Sequence, residues 1–191
     1  MKRMIACGAA LCFILICFSA EQAQSRIADS VIRLHIIANS DSKEDQTLKL
    51  SVRDFVLARY GEELKAVSRK DALEKIYDLL PQILREVSDF CGQKVSVSVG
   101  ESTFPTKQYG SFSLPKGNYL ALKIILGEGK GKNWWCVMYP PLCFEGAAKV
   151  TNREKLKEIL TKDEYNLICA KKGTVFYKFK AVELWESLKT K

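Results

Sequence analysis

The apolar residues of this chain change period along its length, and the order of the changes restricts the folds open to it. Val31–Ala38 is a β-branched, apolar run with Arg33 and His35 alternating outward, which reads as a strand. Asn39-Ser40-Asp41 breaks it, and Ser42-x-x-Asp45 resembles a capping box opening a helix. In that helix Leu48, Val52, Phe55 and Val56 form an apolar stripe. Asp45, Lys49 and Arg53 sit four apart on another face, open to a partner. Gly61 ends it. Ser68 or Asp71 starts a second helical stretch, with Leu73, Ile76, Tyr77, Leu80, Ile83, Leu84 and Val87 on one side. Pro81 is expected to kink or split it.

Gly92 stops the helices, and the period switches to two. Lys94–Val99 alternates Val95, Val97 and Val99 with Lys94, Ser96 and Ser98, the pattern of a half-buried strand. Thr103–Asn118 reads as a loop rich in Gly, Pro and aromatic residues. Tyr119–Leu126 and Trp134–Tyr139 read as strands, so that three successive strands suggest an antiparallel meander. Thr151–Leu160 and Asp163–Cys169 read as helices, Val175–Ala181 as a last strand and Val182–Leu188 as a terminal helix. The expectation is an α+β domain over 27–191, with a mostly antiparallel sheet of about four or five strands and helices on one face.

Ahead of this domain, Lys2 and Arg3 precede the uncharged run Ile5–Phe18, and polar sequence follows. That is the layout of a secretory signal. The run is about 14 residues, short of the roughly 20 that span a bilayer. Residues 1–20 therefore read as a signal peptide or an N-terminal anchor, and the rest as secreted. The net charge is +8, or +6 without Lys2 and Arg3, which favours acidic surfaces: anionic lipid, wall polymer or an acidic partner. An exported protein does not meet nucleic acid in its ordinary work. Outside the leader lie Cys91, Cys136, Cys143 and Cys169. Cys136 and Cys143, seven apart around the turn-forming Pro140-Pro141, are the favoured disulfide pair. The alternative is four buried thiols.

His35 is the only histidine, which excludes a metal site built on two or more His, and no cofactor is expected. No Gly-x-Ser-x-Gly elbow is present. Gly127–Lys132 lacks the spacing of a phosphate loop and reads as a flexible basic hairpin. Asn39, Ser40 and Asp41 suit a turn and a helix cap, with His35 pointing toward that corner. Trp134 and Trp135 face opposite ways on a strand, so an open sheet face would leave one as a binding anchor. The alternative is that terminal helices cover that face.

These residues also carry a resemblance. His35–Ser42, then Asp45-Gln46, Leu48-Lys49-Leu50 and Val52-Arg53-Asp54, resemble the N-terminal signature of the stage II sporulation protein R family. Phe104-Pro105, Tyr109-Gly110, Leu114-Pro115-x-Gly117-x-Tyr119, Gly127-Glu128-Gly129-x-Gly131-x-Asn133-Trp134-Trp135-Cys136-Val137 and Pro140-Pro141-Leu142-Cys143-Phe144 continue it, so that it covers nearly all of Ile27–Leu188. The resemblance implies a non-enzymatic signal of endospore-forming bacteria, exported across the forespore membrane into the intermembrane space. There it triggers a membrane-embedded aspartic protease that processes pro-sigma-E. The alternative is a secreted hydrolase acting on wall or peptide through His35. The residues expected to meet the partner are His35, Asn39, Ser40, Asp41, Asp45, Gln46, Lys49, Arg53, Trp134, Trp135, Pro140 and Pro141. Contact with a membrane surface or the cell wall is also expected.

Overall fold

A computed structural model describes residues 18–19, 21–110, 112–142 and 154–169 of the chain. Residues 1–17 and 20 of the leader, Cys143 and the expected elements Val175–Ala181 and Val182–Leu188 lie outside the described residues. A helix over 21–30 (α1) leads into β1 (Ile32–Ile37), followed by α2 (Lys43–Tyr60) and α3 (Arg69–Cys91). Then come β2 (Val95–Phe104), β3 (Lys107–Tyr109), β4 (Phe112–Leu114), β5 (Gly117–Leu126), β6 (Asn133–Tyr139), α4 (Glu154–Ile159) and α5 (Lys162–Cys169). No helix among the described residues is long and apolar enough to cross a membrane.

The architecture is α+β, as expected, but the sheet order differs from a meander. The order is β2-β5-β1-β6, with β1 parallel to β5 and antiparallel to β6. β5 and β6 are consecutive in sequence yet lie on either side of β1. The reason lies in composition. β1 is the most uniformly buried strand, apolar on one face and roofed on the other, and such a strand belongs at the centre. β2 is longer than its valine alternation suggests and pairs with β5 from Val95↔Leu126 to Phe104↔Gly117. The loop expected over Thr103–Asn118 contains the small β3–β4 hairpin.

One sheet face carries α2 and α3. Ile32, Leu34, Ile36, Leu122, Ile124 and Leu126 meet Val52, Val56, Tyr60, Ile76, Ile83 and Val87 there. Ser42 caps α2 by accepting from the Asp45 backbone N–H at 3.1 Å, and Ser68 caps α3 by accepting from Asp71 at 3.1 Å. Gly92 closes α3 in the left-handed conformation at φ 62°. The Tyr60 hydroxyl donates to Glu86 at 2.7 Å, joining the two helices. The apolar stripe of α3 is narrower than the sequence suggests: Tyr77 and Leu84 are exposed. Pro81 does not split α3, which runs unbroken through it. Pro81 and Tyr77 both face water, so the carbonyl that proline leaves without an N–H is the solvent-side one four residues back.

The opposite face is also covered. Ile27, Ala28 and Val31, the β3–β4 hairpin, Leu156, Leu160 and Ile168 pack on Phe104, Tyr119, Ala121 and Val137. Arg26 of α1 pairs with Glu164 of α5 at 2.6 Å. This second layer reverses one reading of β1. Arg33, expected to alternate outward, is fully buried. Its guanidinium lies 4.0 Å from the Phe104 ring centre and 4.9 Å from that of Tyr119, and donates to the Tyr109 hydroxyl. Aromatic faces supply the negative potential that a carboxylate would otherwise give.

The fold makes two opposite stability predictions for urea denaturation. Ile36→Ala, at the centre of the helix-side core, is expected to cost about 2–5 kcal/mol. Pro81→Ala is expected to stabilise by about 1–3 kcal/mol, because the helix already accepts the position. A loss of stability in the second variant would show that α3 needs its proline.

Candidate functional site

β1, α2 and the β5–β6 connection meet at one corner. β1 and β5 are parallel and both end there, β6 begins there, and α2 starts five residues after Ala38. Because β1 separates β5 from β6, residues 127–132 must cross its C-terminal end. They do so in contact. The Gly131 N–H donates to Ala38 at 2.9 Å, and the Lys130 N–H donates to the Asn39 carbonyl at 3.0 Å. The Glu128 N–H donates to Asn39 Oδ1 at 2.9 Å, and the Lys132 N–H to Asp41 Oδ1 at 2.7 Å.

The loop is therefore a seated crossover, not the flexible basic hairpin expected. A Cβ on Gly127 would stand 2.2 Å from Asn39 Oδ1, and one on Gly131 would stand 2.2 Å from the Ser40 carbonyl oxygen. Gly127 also holds φ at 56°, which side-chain-bearing residues disfavour. Gly131 follows from the close approach of two backbones, and Gly127 from its left-handed φ and the Asn39 side chain against it.

Asn39 and Asp45 organise the other side. Asn39 Nδ2 donates to Asp45 Oδ2 at 2.8 Å, and Ser40 Oγ donates to the same oxygen at 2.5 Å. These bonds, that from Ser40 first, hold the Asp45 carboxyl below its ordinary pKa, against a smaller opposing effect of burial. Gln46 Nε2 donates to the Ser40 carbonyl at 2.8 Å. Lys49 Nζ donates to Gln46 Oε1 at 2.6 Å and to the Lys132 carbonyl at 3.0 Å. Asn39, Ser40, Asp41, Asp45, Gln46 and Lys49 thus form one network with the glycine crossover.

Lys49 departs from expectation. The sequence places it on an open polar stripe, but it is only 5% exposed. Desolvation lowers its pKa, and its ammonium is spent on the crossover carbonyl. Arg53 is engaged as well. Its guanidinium lies 5.5 Å from the Trp134 ring centre and donates twice to Asp54, at 2.8 and 2.9 Å. Trp134 packs on the helix-side core, while Trp135 faces the other way.

His35 sits opposite Trp135 in the β1–β6 register. Its Nε2 meets Asn133 Oδ1 at 2.7 Å. Burial lowers its pKa; the Asn133 bond opposes this, and the charges of Lys123 and Arg33 add to it. His35 therefore stays neutral at physiological pH and is held by an amide, with no carboxylate to orient it as a base. Pro140 and Pro141 are buried at the other end of β6, one strand length from the corner, and the Tyr139–Pro140 bond is cis. Cys136 is buried and disulfide-bonded. Its expected partner Cys143 lies outside the described residues. Cys91 and Cys169 carry free thiols. No group of three His, Cys, Asp or Glu among the described residues is placed to hold a metal.

Sequence reasoning missed Arg33 and Lys123. A single outward-reading position on a strand signals a roof only when the roofing residues are known, and the β3–β4 hairpin was read as loop. The glycine crossover was missed as a partner of Asn39, although its glycine spacing was visible.

Two comparisons bear on this geometry. The family model described as Stage II sporulation protein R matches residues 28–149. The chain is 43% identical over 138 residues to the stage II sporulation protein R of Bacillus subtilis (strain 168), an overlap of 69% of this chain and 60% of the relative. The chain thus spans about 60% of the length of the curated relative it matches. No solved structure matches.

The corner yields two predictions. Gly131→Ala is expected to cost more than about 1 kcal/mol in urea denaturation, since its Cβ meets backbone. Gly100→Ala, with open space around it, is expected to stay within about 0.5 kcal/mol. The second concerns acid. A carboxyl whose folded pKa is depressed stabilises the fold above its unfolded pKa of about 4, and this contribution is lost as pH falls through the folded value. Asp45→Asn is therefore expected to be less stable at pH 7 and to lose less stability between pH 5 and 2. Parallel acid limbs in thermal melts of the two proteins would contradict the network.

Proposed function

The chain belongs to the stage II sporulation protein R family, and from that premise we propose that it is a secreted, non-catalytic signal between the two compartments of a sporulating cell. In this reading residues 1–20 export the protein across the forespore membrane, as a cleaved signal or as an anchor. The domain acts in the intermembrane space. There it engages a membrane-embedded aspartic protease and triggers removal of the pro-sequence of sigma-E. Cys136 pairs with Cys143 in that oxidising compartment.

The observation that carries the proposal is the family match over residues 28–149. The fold supports it by joining the two segments with the densest family signature. His35–Arg53 and Gly127–Cys136 are far apart in sequence and interlock at one end of the sheet. The hydrolase alternative gains nothing from this site, where His35 is flanked by Asn133, Lys123 and Arg33.

Reconstitution tests the proposal. The protein, the protease in liposomes and pro-sigma-E are combined, and processing is expected only when all three are present. Turnover of pro-sigma-E or of wall polymer by the isolated protein would overturn it. Lys49→Glu is expected to melt at a lower temperature, because it breaks the bond to the crossover. Arg53→Glu is expected to keep its melting temperature within a few degrees and to reduce processing, and normal processing would remove α2 from the contact surface.

A further inference from the structure

On the second sheet face the strand register sets side chains in rows. One row is Gly100, Ala121, Arg33 and Val137. Its Ala121, Arg33 and Val137 are buried on the face covered by the hairpin and the short helices. The next row toward the corner is Ser98, Lys123, His35 and Trp135. Ser98, Lys123 and Trp135 are half-buried, while His35 is 8% exposed.

This row has a chemical imbalance. It holds a hydroxyl, an ammonium, an imidazole and an indole N–H, and no carboxylate. His35 Nδ1 and Trp135 Nε1 are buried with no hydrogen-bond partner among the described residues, and so are Arg33 Nε and Nη1 in the adjoining row. A buried polar atom without a partner, whether the Trp135 and Arg33 N–H donors or the His35 Nδ1 lone pair, forfeits its hydration and gains nothing. Exposed Lys107 of β3 lies across the Trp135 ring, its Nζ 5.4 Å from the ring centre. The charges acting on His35 are those of Lys123 and Arg33, both positive. With Nε2 donating to Asn133, Nδ1 is a lone pair in the neutral ring and a donor in the protonated one, so an anion placed there draws in a proton.

We propose that the Ser98–Lys123–His35–Trp135 row is a docking site for a carboxylate side chain on an acidic segment of a partner protein, with Lys107 and Lys123 as its cationic rims. The identity of that partner rests on the signalling reading above; the chemistry of the site does not. Lys107 swings off Trp135 to admit the ligand. The unpartnered nitrogens are buried within one strand row and are not spread over an exposed face, so a single acidic side chain suits the site better than a flat bilayer surface.

The test is a titration of the purified protein with an N-acetylated hexaglutamate amide, read by the ¹H–¹⁵N resonance of the Trp135 indole. A saturable shift is expected, absent with hexaglutamine. Lys107→Glu, exposed and remote from the core, and Lys123→Glu are each expected to weaken it at least tenfold, with Lys70→Glu on α3 as a neutral control. No shift, an equal shift with hexaglutamine, or full response in both reversed variants overturns the site. Binding to phosphatidylglycerol vesicles without a hexaglutamate response also overturns it. In the reconstituted assay the two reversals are expected to reduce processing at least tenfold. If the wild type triggers processing while hexaglutamate leaves Trp135 unmoved, the site falls and the signalling reading stands. If the wild type triggers nothing, that reading falls and the titration still decides the site.

Discussion

The central position of β1 is the constraint on which the rest of the molecule depends. With β5 on one side and β6 on the other, the chain leaving Leu126 must pass over the end of β1 to reach Asn133. That passage brings Gly131 against the Ser40 backbone and Gly127, at positive φ, against the Asn39 side chain, and both positions suit glycine. The same crowding gives the backbone groups of the crossover their partners. Asn39 and Asp41 accept from its N–H groups, and Lys49 donates to its last carbonyl. These bonds hold the crossover on the polar residues of the β1–α2 corner. The corner is thus built from two sequence segments that are each incomplete alone.

A central strand also has two buried faces, and this explains what the sequence revealed and what it hid. The helix-side face was legible, because Ile32, Leu34 and Ile36 are apolar and the stripes of α2 and α3 have helical period. The capping residues Ser42 and Ser68 and the stop at Gly92 were legible for the same local reason. The other face was not. Arg33 and His35 look like solvent-facing residues, and their burial depends on a hairpin more than 70 residues away, which no local period signals. The sheet order was hidden too, since three successive strands suit a meander equally well until β1 claims the middle. Lys49 shares this cause: its spacing marks it as polar, but only the crossover turns that face into an interior.

The candidate site divides along the same line. Its membership in two segments was visible from the resemblance, and its chemistry was not. Of the residues expected to meet a partner, Asn39, Asp45, Gln46 and Lys49 are committed to the corner network, and Pro140 and Pro141 lie at the far end of β6. Among the others, His35 and Trp135 lie one register step from the corner, with His35 Nδ1 and Trp135 Nε1 unpaired.

The electrostatics of the second face point in a consistent direction. Arg33 is stabilised there by Phe104, Tyr119 and the Tyr109 hydroxyl, in place of an acid. Desolvation, the largest influence on it, lowers its pKa, yet an arginine so placed still holds its proton. A fixed positive charge therefore lies in the row adjoining the one that ends at Trp135, with Lys123 in that row and Lys107 over the Trp135 ring. In an interior of low polarisability such charges are screened less than surface charges. The rigid corner keeps β1 and β6 in register, and the register keeps His35 against Trp135. Rigidity at the crossover thereby holds an acid-free, donor-rich patch in a fixed geometry, which lowers the ordering cost of binding an acidic partner.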